Sequence, residues 1–484
     1  MFALALQVVL TLPPCPAPVR FGLPLPIEQV QQGLCVRGRG KVQLRRLGLI
    51  AGPDLVWAEV AVAEAKGAVR LVPAKGRGEP GVEVYRLQRS ADGTAEWSWC
   101  DGTTDRRTRR RVERLEHSGG ERWQVGEWET VESAALSRRW LVVTSLPRRL
   151  WQRAGLLPRR LGAEQQGLRH LRAVARALVE MPGRRGAGDY ARSGGVVTNL
   201  EFDMPLAFLR LGLACKDAGL LERARRSAWH LVDRDLDQAS GLPFAHGVGH
   251  RHSAPSLGHT WLSGLLWVGA LTADEGLMDA ARQIAGAVAG ETATSRGEVE
   301  RARDYGWPLW EMETYLRMLP DPVVAAAADR TARALHARFD RRLGTFRFGE
   351  GEAGPGQYLE RAWITGGIVL PALRTHLRRR PDPVLQAVVD EVADDLLRTC
   401  LQGGPGVATH WRLADGRPFG LYHARQDPKV WMMLEGLGID GRARLLQKGR
   451  VKRSMLATPD PEHPDRATHL AMIARNLWVY SGCL

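Results

Sequence analysis

The stretch MPLAFLRLGLACKDAGLLERARRSAWHLVDRDL, residues 204–236, contains two kinds of helix joined by a short turn. Its first half is apolar on nearly every face at helical spacing, which is typical of a helix buried all round. Its second half confines the apolar residues to one stripe between charged residues, which is typical of a helix with a solvated face. The stretch therefore predicts an inner helix followed by an outer helix.

The same alternation recurs along the chain. Apolar helices are predicted at 204–215, 260–271 and 363–377, the last interrupted by Pro371, and striped helices at 221–236, 277–289, 323–339 and 384–401. A shorter helix, rich in aromatic residues, is predicted at 308–318. The turns that lead into the striped helices carry Asp217, Asp274, Asp321 and Asp382, and each aspartate is expected to cap the helix that follows.

Further helices predicted at 164–181, 427–437 and 467–480 bring the number to eleven. Repeated helical hairpins bury their apolar faces by packing side by side. We therefore expect residues 159–484 to form an (α/α)6-type toroid, in which the starts of the inner helices and the loops of one rim surround a cleft.

The pattern before residue 159 is different, because short strand-like runs are separated there by Gly, Pro and Asp. These runs extend from residue 4 to RWLVVTSL, residues 139–146. Alternation of apolar and polar residues, clearest at Val82, Glu83 and Val84, favours antiparallel strands with one buried face. Residues 1–158 are therefore expected to form an antiparallel β-sandwich or barrel module, and the chain an α+β protein of two domains.

The chain carries a formal net charge of +15, and only 7 of its 68 basic residues are lysine. A GC-rich coding sequence produces this arginine bias by itself, and no nucleic-acid-binding motif accompanies the charge, so no nucleic-acid partner is expected. The densest basic run, residues 106–114, is expected to be a solvated hairpin or loop.

The 6 cysteines are scattered without a CxxC pair, so neither a structural zinc site nor a disulfide framework is expected. No cofactor is predicted, and no ligand spacing indicates a divalent cation. No apolar run reaches the length of about 18 residues that a membrane span needs, so no membrane partner is expected. The apolar start lacks a basic segment typical of a signal peptide, which favours a cytoplasmic location without establishing it.

Polar and titratable residues gather in two segments, residues 188–203 (GDYARSGGVVTNLEFD) and residues 243–261 (PFAHGVGHRHSAPSLGHTW). The first contains Tyr190, Arg192, Asn199, Glu201 and Asp203, and the second contains His246, His250, His252 and His259. Polar loops between apolar helices are typical of a cleft on a helical scaffold, because loops carry the chemistry and rigid helices position it. We expect the active site here.

The order of several motifs resembles the rhamnogalacturonan exo-lyase family. Residues 188–203, LLERARRSAWHLVDRDLD (220–237), GHTW (258–261) and YGWPL (305–309) are similar to its catalytic central domain. VRFGLPLP (19–26) and RRLGLIAGPDLVWAEV (45–60) are similar to its N-terminal β module. The resemblance spans about residues 18–380 and implies a polysaccharide lyase that acts on an acidic oligo- or polysaccharide, although the β-module turn, AGPDLVW, is degenerate.

A uronate lyase must neutralise the C6 carboxylate, remove the C5 proton and stabilise the departing O4, and Arg, His and Tyr can supply these roles. The resemblance supports His250 and His259 most, because they lie in the matching loop. The predicted catalytic set is His250, His259, Tyr190 and Arg361. The predicted substrate-binding residues are Asn199, Glu201, Asp203, His246, Arg251, His252, Trp261, Tyr305, Trp307 and Trp363.

Several alternatives stay open at this point. Glu311 or Glu313 would serve as the general acid of a glycoside hydrolase if buried, and a non-catalytic glycan-binding or scaffold protein is the other rival. Asn199 and Asp203 also suit helix caps, and the tryptophans of the helical part either bind sugar or fill the ring. His246 and His250 have a spacing that suits zinc on a helix, but the glycines around them argue against a helix, so no metal ligand is predicted.

Overall fold

The computed structural model describes residues 8–12, 19–32, 34–37, 41–52, 54–63, 67–73, 85–89, 95–99, 104–109, 128–130, 139–157, 172–176, 190–192, 196–198, 203–245, 254–294, 301–347, 358–400, 407–412, 418–422, 433 and 436–437. The protein is mixed α+β: mostly helical, with antiparallel sheets in its N-terminal part. None of the described helices is long and apolar enough to cross a membrane.

The described residues of the N-terminal part form three antiparallel sheets. Their strands are β1 (Val8–Leu12), β2 (Val19–Pro26), β3 (Leu34–Arg37), β4 (Lys41–Gly52), β5 (Leu55–Ala63), β6 (Gly67–Pro73), β7 (Tyr85–Arg89), β8 (Ala95–Trp99), β9 (Thr104–Arg109) and β10 (Trp128–Thr130). The strand orders are β1-β6-β3, β2-β5-β4 and β10-β9-β8-β7. The antiparallel prediction is confirmed. Closure of these sheets into a sandwich or barrel, and the domain boundary near residue 158, stay predictions.

One N-terminal prediction needs correction. The run RWLVVTSL is not a strand, because Arg139–Ser145 forms helix α2. A short apolar run is ambiguous by periodicity alone, and Trp140 of this helix donates a hydrogen bond from Nε1 to Glu222 of a later helix, at 2.8 Å. The first residues of the basic run, 106–109, lie in β9, which pairs antiparallel with β8 and β10 as in a hairpin, and residues 110–114 lie outside the described part of the chain.

Helices form four consecutive hairpins after residue 203. Ahead of them lie α1 (Ile27–Gln32), α2 and α3 (Arg148–Arg153). The hairpins are α4 (Met204–Cys215) with α5 (Ala218–Arg234), α6 (Ser263–Thr272) with α7 (Glu275–Thr294), α8 (Arg303–Met318) with α9 (Pro322–Ala337), and the π-helical segment Arg361–Val369 continued by α10 (Leu370–Arg379) with α11 (Pro383–Cys400). Small strands β11 (Tyr190–Arg192), β12 (Val196–Thr198), β13 (Phe339–Asp340), β14 (Thr345–Phe346), β15 (Tyr358–Glu360), β16 (Val407–Arg412) and β17 (Pro418–Tyr422) accompany them.

The first helices of the hairpins form an inner layer, since α4 packs on α6, α6 on α8, and α8 on α10. The second helices form an outer layer around them. Every described residue of α6 is buried, as expected for an inner helix, whereas α5 buries one stripe. The inner and outer assignment is confirmed for these helices. Closure into a ring depends on predicted helices that lie mostly or wholly outside the described residues, and it stays a prediction.

One end of the hairpins, the short-turn rim, consists of the turns 216–217, 273–274, 319–321 and 380–382. Here Asp217 accepts a hydrogen bond from Leu220 N at 3.1 Å, and Asp321 accepts from Val323 N at 2.9 Å. Asp274 and Asp382 cap α7 and α11 in the same way. The four predicted aspartate caps are therefore confirmed.

The sheet β2-β5-β4 covers this short-turn rim. A Cβ at Gly22 of β2 would overlap the carbonyl oxygen of Ala270, so the strand lies directly on the end of α6. Trp57 of β5 meets Trp267 edge to face, with 6.1 Å between ring centroids. Beside the sheet, Arg148 Nε donates to Ala214 O at the end of α4, at 3.0 Å. The opposite end of the hairpins, the long-loop rim, is formed in the described part of the chain by residues 235–245, 254–262, 301–302, 338–347 and 358–360.

Candidate functional site

The inner helices α4 and α6 begin side by side on the long-loop rim, joined by Asp203. This residue is buried, and its Oδ1 accepts from Leu206 N at 3.1 Å while its Oδ2 accepts from Gly264 N at 3.0 Å. A Cβ at Gly264 would overlap the carboxylate, so glycine is required for this close approach. Asp203 therefore caps α4, which is the alternative weighed from the sequence, and it also caps α6. Its predicted role in substrate binding stays a prediction.

The start of α6 is also capped by Glu311, which belongs to α8. Leu262, the residue before α6, provides no side-chain cap, and the wholly buried Glu311 Oε2 accepts from Ser263 N at 2.8 Å and from the Ser263 hydroxyl. A carboxylate at a helix N-terminus is stabilised in its charged form by N–H donors and by the helix dipole. The described hydrogen bonds of Glu311 are therefore those of a cap at the start of α6.

Glu313 lies two residues after Glu311 in α8 and is held by basic side chains of α10. His376 Nδ1 lies 2.7 Å from Glu313 Oε1, and Arg379 Nε donates to Oε2 at 2.8 Å. Hydrogen bonds to Glu313, and further to Asp329, raise the pKa of Arg379. Both glutamates weighed for hydrolysis therefore have structural partners, and the structure gives no support to either as a proton donor.

Backbone hydrogen bonds join the described residues on the two sides of the histidine-rich segment, and we call this set of bonds the base of the segment. Phe244 N donates to Asp235 O at 2.8 Å, Ala245 N to Ala254 O at 3.0 Å, and Ser256 N to Pro243 O at 2.9 Å. Residues 246–253, which connect the two sides of this base, lie outside the described part of the chain. The base therefore anchors both ends of the segment that carries His246, His250, Arg251 and His252.

His259 ends the 3-10 turn Leu257–His259, which follows this base and precedes α6. Its side chain is only about 5% exposed, and Nδ1 lies 3.2 Å from Ser256 Oγ. Because the Ser256 hydroxyl contacts Nδ1, it can set the tautomer of the imidazole. Proton transfer would then use the other ring nitrogen, Nε2. Of the four clustered histidines, His259 is the one whose side chain the structure describes.

Three tryptophans adjoin this turn and form a continuous aromatic row. The ring centroids of Trp261 and Trp307 are 4.9 Å apart at 70°, and those of Trp307 and Trp310 are 5.5 Å apart and nearly parallel. Trp261 and Trp307 each expose about 3% of their surface, so most of each ring packs inside the protein. These rings pack in the interior beside the turn, and their predicted contact with a sugar stays a prediction.

Tyr305 lies on a different face of α8 from this row. At about 100° per helical residue, it is separated from Trp307 by about 160° around the helix. The guanidinium carbon of Arg338, at the end of outer helix α9, lies 4.6 Å from the centre of its ring. Burial raises the pKa of the Tyr305 hydroxyl. Its described contact is thus with the outer layer, and its predicted role in substrate binding remains to be tested.

The remaining predicted residues are only partly described. Tyr190 lies in β11 opposite Thr198, and Arg361 and Trp363 lie in the π-helical segment, with backbone alone described for each. Asn199, Glu201, His246, His250, Arg251 and His252 lie outside the described residues. Within the ranges that are described, no three His, Cys, Asp or Glu side chains gather in an arrangement that suits a metal ion.

The sequence interpretation did not single out Asp304 or Ser256, which adjoin His259. Ser256 contacts the histidine directly, and Asp304 lies in the first turn of α8 beside Gly258. An acidic residue in a first helical turn is commonplace because it complements the helix dipole, so the sequence offers no signal that this one faces the histidine turn.

Comparisons with known proteins identify no family for the chain. No family model matches it, and no curated protein is significantly similar. Among solved structures, the protein is similar to a cellobiose 2-epimerase from Bacillus thermoamylovorans B4167, with 10% identity and a TM-score of 0.42, over 63% of this chain and 86% of that one. A likeness at this level identifies neither a family nor an activity.

Proposed function

We propose that the protein is a carbohydrate-active enzyme that cleaves a uronate-containing, rhamnogalacturonan-like glycan by β-elimination. The observation that carries the proposal is the position of His259, buried at the base of a histidine-rich segment and held by Ser256 on the long-loop rim. The motif order that resembles rhamnogalacturonan exo-lyases supports the same reaction. An imidazole titrates near neutral pH, so it can accept a proton from carbon without extreme conditions.

The reaction assigns balanced roles to the site. His259 removes the proton from C5 of the uronate, the C5–H electron pair forms the C4=C5 double bond, and the C4–O4 bond breaks. O4 departs with a proton from an acid, for which Tyr190 or His250 is the proposed donor. The charge that develops on the C6 carboxylate needs a cation, and Arg361 is proposed for this role because a guanidinium binds a carboxylate through two hydrogen bonds.

The test is an incubation of the purified protein with pectic and other uronate-containing glycans. Ultraviolet absorbance of the unsaturated uronate is followed together with new reducing ends. We expect both signals to rise together, and His259→Gln to lower kcat by about 100-fold or more, the usual contribution of a proton-transfer group. His336→Gln, a half-buried residue in the last turn of α9, is the matched control and should retain activity.

Other outcomes would redirect the assignment. New reducing ends without the absorbance would indicate hydrolysis. Glycan binding without turnover, unchanged by the His259 substitution, would indicate a non-catalytic glycan-binding protein. An active His259→Gln variant would remove this histidine from the chemistry.

A further inference from the structure

Asp304 and Gly258 make one of the closest contacts on the long-loop rim. Gly258 is the middle residue of the 3-10 turn that ends at His259, and Asp304 belongs to the first turn of α8. A Cβ on Gly258 would overlap Asp304 Oδ1 and would lie 3.3 Å from Arg303 Cγ. The turn therefore rests directly on α8, and only glycine leaves room for the carboxylate above it.

The Asp304 carboxylate is itself held in place. Arg301 Nε donates to its Oδ2 at 3.0 Å, and the side chain is about 8% exposed. Burial raises the pKa of Asp304, whereas Arg301, Arg303 and the backbone N–H of Gly258 act in the opposite direction. One carboxylate thus contacts both Arg301, just before α8, and the turn that carries His259.

The contact with α8 matters because the turn makes few stabilising hydrogen bonds of its own. It is three residues long, and Ser256 gives it no side-chain cap. Its local backbone hydrogen bonds are His259 N to Ser256 O at 3.1 Å and Thr260 N to Leu257 O at 3.3 Å, and the Thr260 hydroxyl also donates to Leu257 O at 2.8 Å. Short 3-10 turns have poorer hydrogen-bond geometry than an α-helix and are weak by themselves.

We propose that Asp304 is a positioning residue, which fixes the Gly258–His259 turn on α8 and so holds the imidazole of His259 for proton transfer. The proton-transfer role rests on the proposed function, whereas the mechanical role does not. Asp304 acts through the backbone of Gly258 and not as a reacting group. A displacement of about 1 Å at a reacting group can cost about 100-fold in rate, so a fixed turn matters for turnover more than for substrate affinity.

The experiment measures the reactivity of individual histidines with diethyl pyrocarbonate, which acylates the unprotonated ring nitrogen. Rates at single histidines are read by mass spectrometry of the full-length protein at neutral pH, with no glycan present. His230 and His376 are internal controls, because both are about as buried as His259 but lie elsewhere in the fold. General loosening would raise all three rates, and release of the turn would raise only that of His259.

The variants separate charge from contact. Asp304→Ala removes the packing contact with Gly258 and should raise the His259 rate about tenfold, a modest weakening of the turn's hold on α8. Asp304→Asn keeps the size and shape of the side chain beside Gly258 and should stay within about threefold of the native rate. Gly258→Ala should act like Asp304→Ala, whereas Gly286→Ala, whose new Cβ would meet nothing within 4 Å, should change nothing.

The result that overturns the inference is a His259 rate unchanged in Asp304→Ala, or one that rises in parallel with His230 and His376. On a glycan that the native protein cleaves, Asp304→Ala should lower kcat about 100-fold with KM altered less than about threefold. If no glycan is cleaved, the proposed function fails, while the modification rates still decide whether Asp304 holds the turn.

Discussion

The two rims of the helical hairpins are built on different principles. On the short-turn rim, two or three residues join each inner helix to its outer partner, and an aspartate within the turn caps the next helix. On the long-loop rim, the start of α6 is held by two carboxylates that reach across from outside the helix: Asp203 accepts from Gly264 N, and Glu311 accepts from Ser263 N. Local caps and a covering sheet stabilise the first rim, which leaves the second rim to carry the titratable residues.

The largest effect is expected from a substitution in the sheet that covers the short-turn rim. Glu59 of β5 is wholly buried, and it accepts hydrogen bonds from Arg20 and from Arg45 Nε, the latter at 2.7 Å. Arg45 also pairs with Glu275 at the start of α7, which ties the sheet to the hairpins. Glu59→Ala removes the buried carboxylate that the two guanidinium groups share and should lower the free energy of unfolding by about 3–5 kcal/mol, measured by urea denaturation.

The matched control for Glu59 is an ion pair on the surface. Asp279 and Arg282 of α7 pair at 2.5 Å with side chains 50% and 41% exposed. Asp279→Ala should change stability by less than about 1 kcal/mol, because solvent screens the exposed pair. Equal losses of stability in Glu59→Ala and Asp279→Ala would show that the buried carboxylate of the sheet stabilises the protein no more than an exposed ion pair does.

A similar test applies to the long-loop rim. Glu311→Ala removes the acceptor for Leu262 N, Ser263 N and the Ser263 hydroxyl. We expect a loss of about 2–3 kcal/mol, since buried donors at a helix start are left unsatisfied. Glu311→Gln, which retains one acceptor oxygen, should lose less. Hydrogen exchange at Ser263 and Gly264 should quicken in the alanine variant, and unchanged exchange there would contradict the cross-helix cap.

A smaller effect, with a defined pH dependence, concerns Glu222 of α5 near the short-turn rim. Burial alone would raise the pKa of Glu222, but Arg225, Trp140 and Arg226 lower it from 4.5 to about 2. A lowered carboxyl pKa contributes stability that is fully present above about pH 4.5 and is lost as the pH falls toward 2. Glu222→Gln should therefore cost about 2 kcal/mol at pH 7, allowing for its partial exposure.

The difference between native protein and Glu222→Gln should narrow steadily between about pH 4.5 and pH 2. Denaturation midpoints at a series of pH values measure it. A constant difference across that range would mean that the charge of Glu222 is not what binds α2 through Trp140.

The smallest expected effect concerns a single turn cap. Asp321 accepts from Val323 N at 2.9 Å and from Val324 N at 3.1 Å at the start of α9. Asp321→Ala should cost about 1 kcal/mol, as for other N-cap replacements, and Asp321→Asn should cost less. Thermal denaturation followed by circular dichroism resolves this difference. A loss as large as that of Glu311→Ala would remove the distinction between local and cross-helix capping.

The helices were the most predictable part of the protein. The sequence predicted residues 204–215 with the bounds that α4 has, and the four turn aspartates as caps, because both signals act within a few residues. The helix predicted at 308–318 is longer, as it begins at Arg303. Residues 139–145 were assigned to a strand and form a helix, since their apolar run is too short to show a period.

The site was less predictable. His259 and Asp203 were singled out from their neighbours in the sequence, and both are buried on the long-loop rim. The roles of Glu311 and Glu313 were not foreseen, because their partners Ser263 and His376 lie 48 and 63 residues away along the chain. Tyr305 was predicted to bind substrate; its ring contacts Arg338 of the outer layer, and the predicted role stays a prediction.

By itself the sequence determined which segments are helices, which faces are apolar and where the short turns begin, since periodicity and capping are local properties. Only the tertiary structure decided which carboxylate caps α6, why Gly22, Gly258 and Gly264 must lack a side chain, and that the β2-β5-β4 sheet covers the short-turn rim. Those features depend on contacts between residues far apart in the chain, and no local pattern encodes the distance between two such residues.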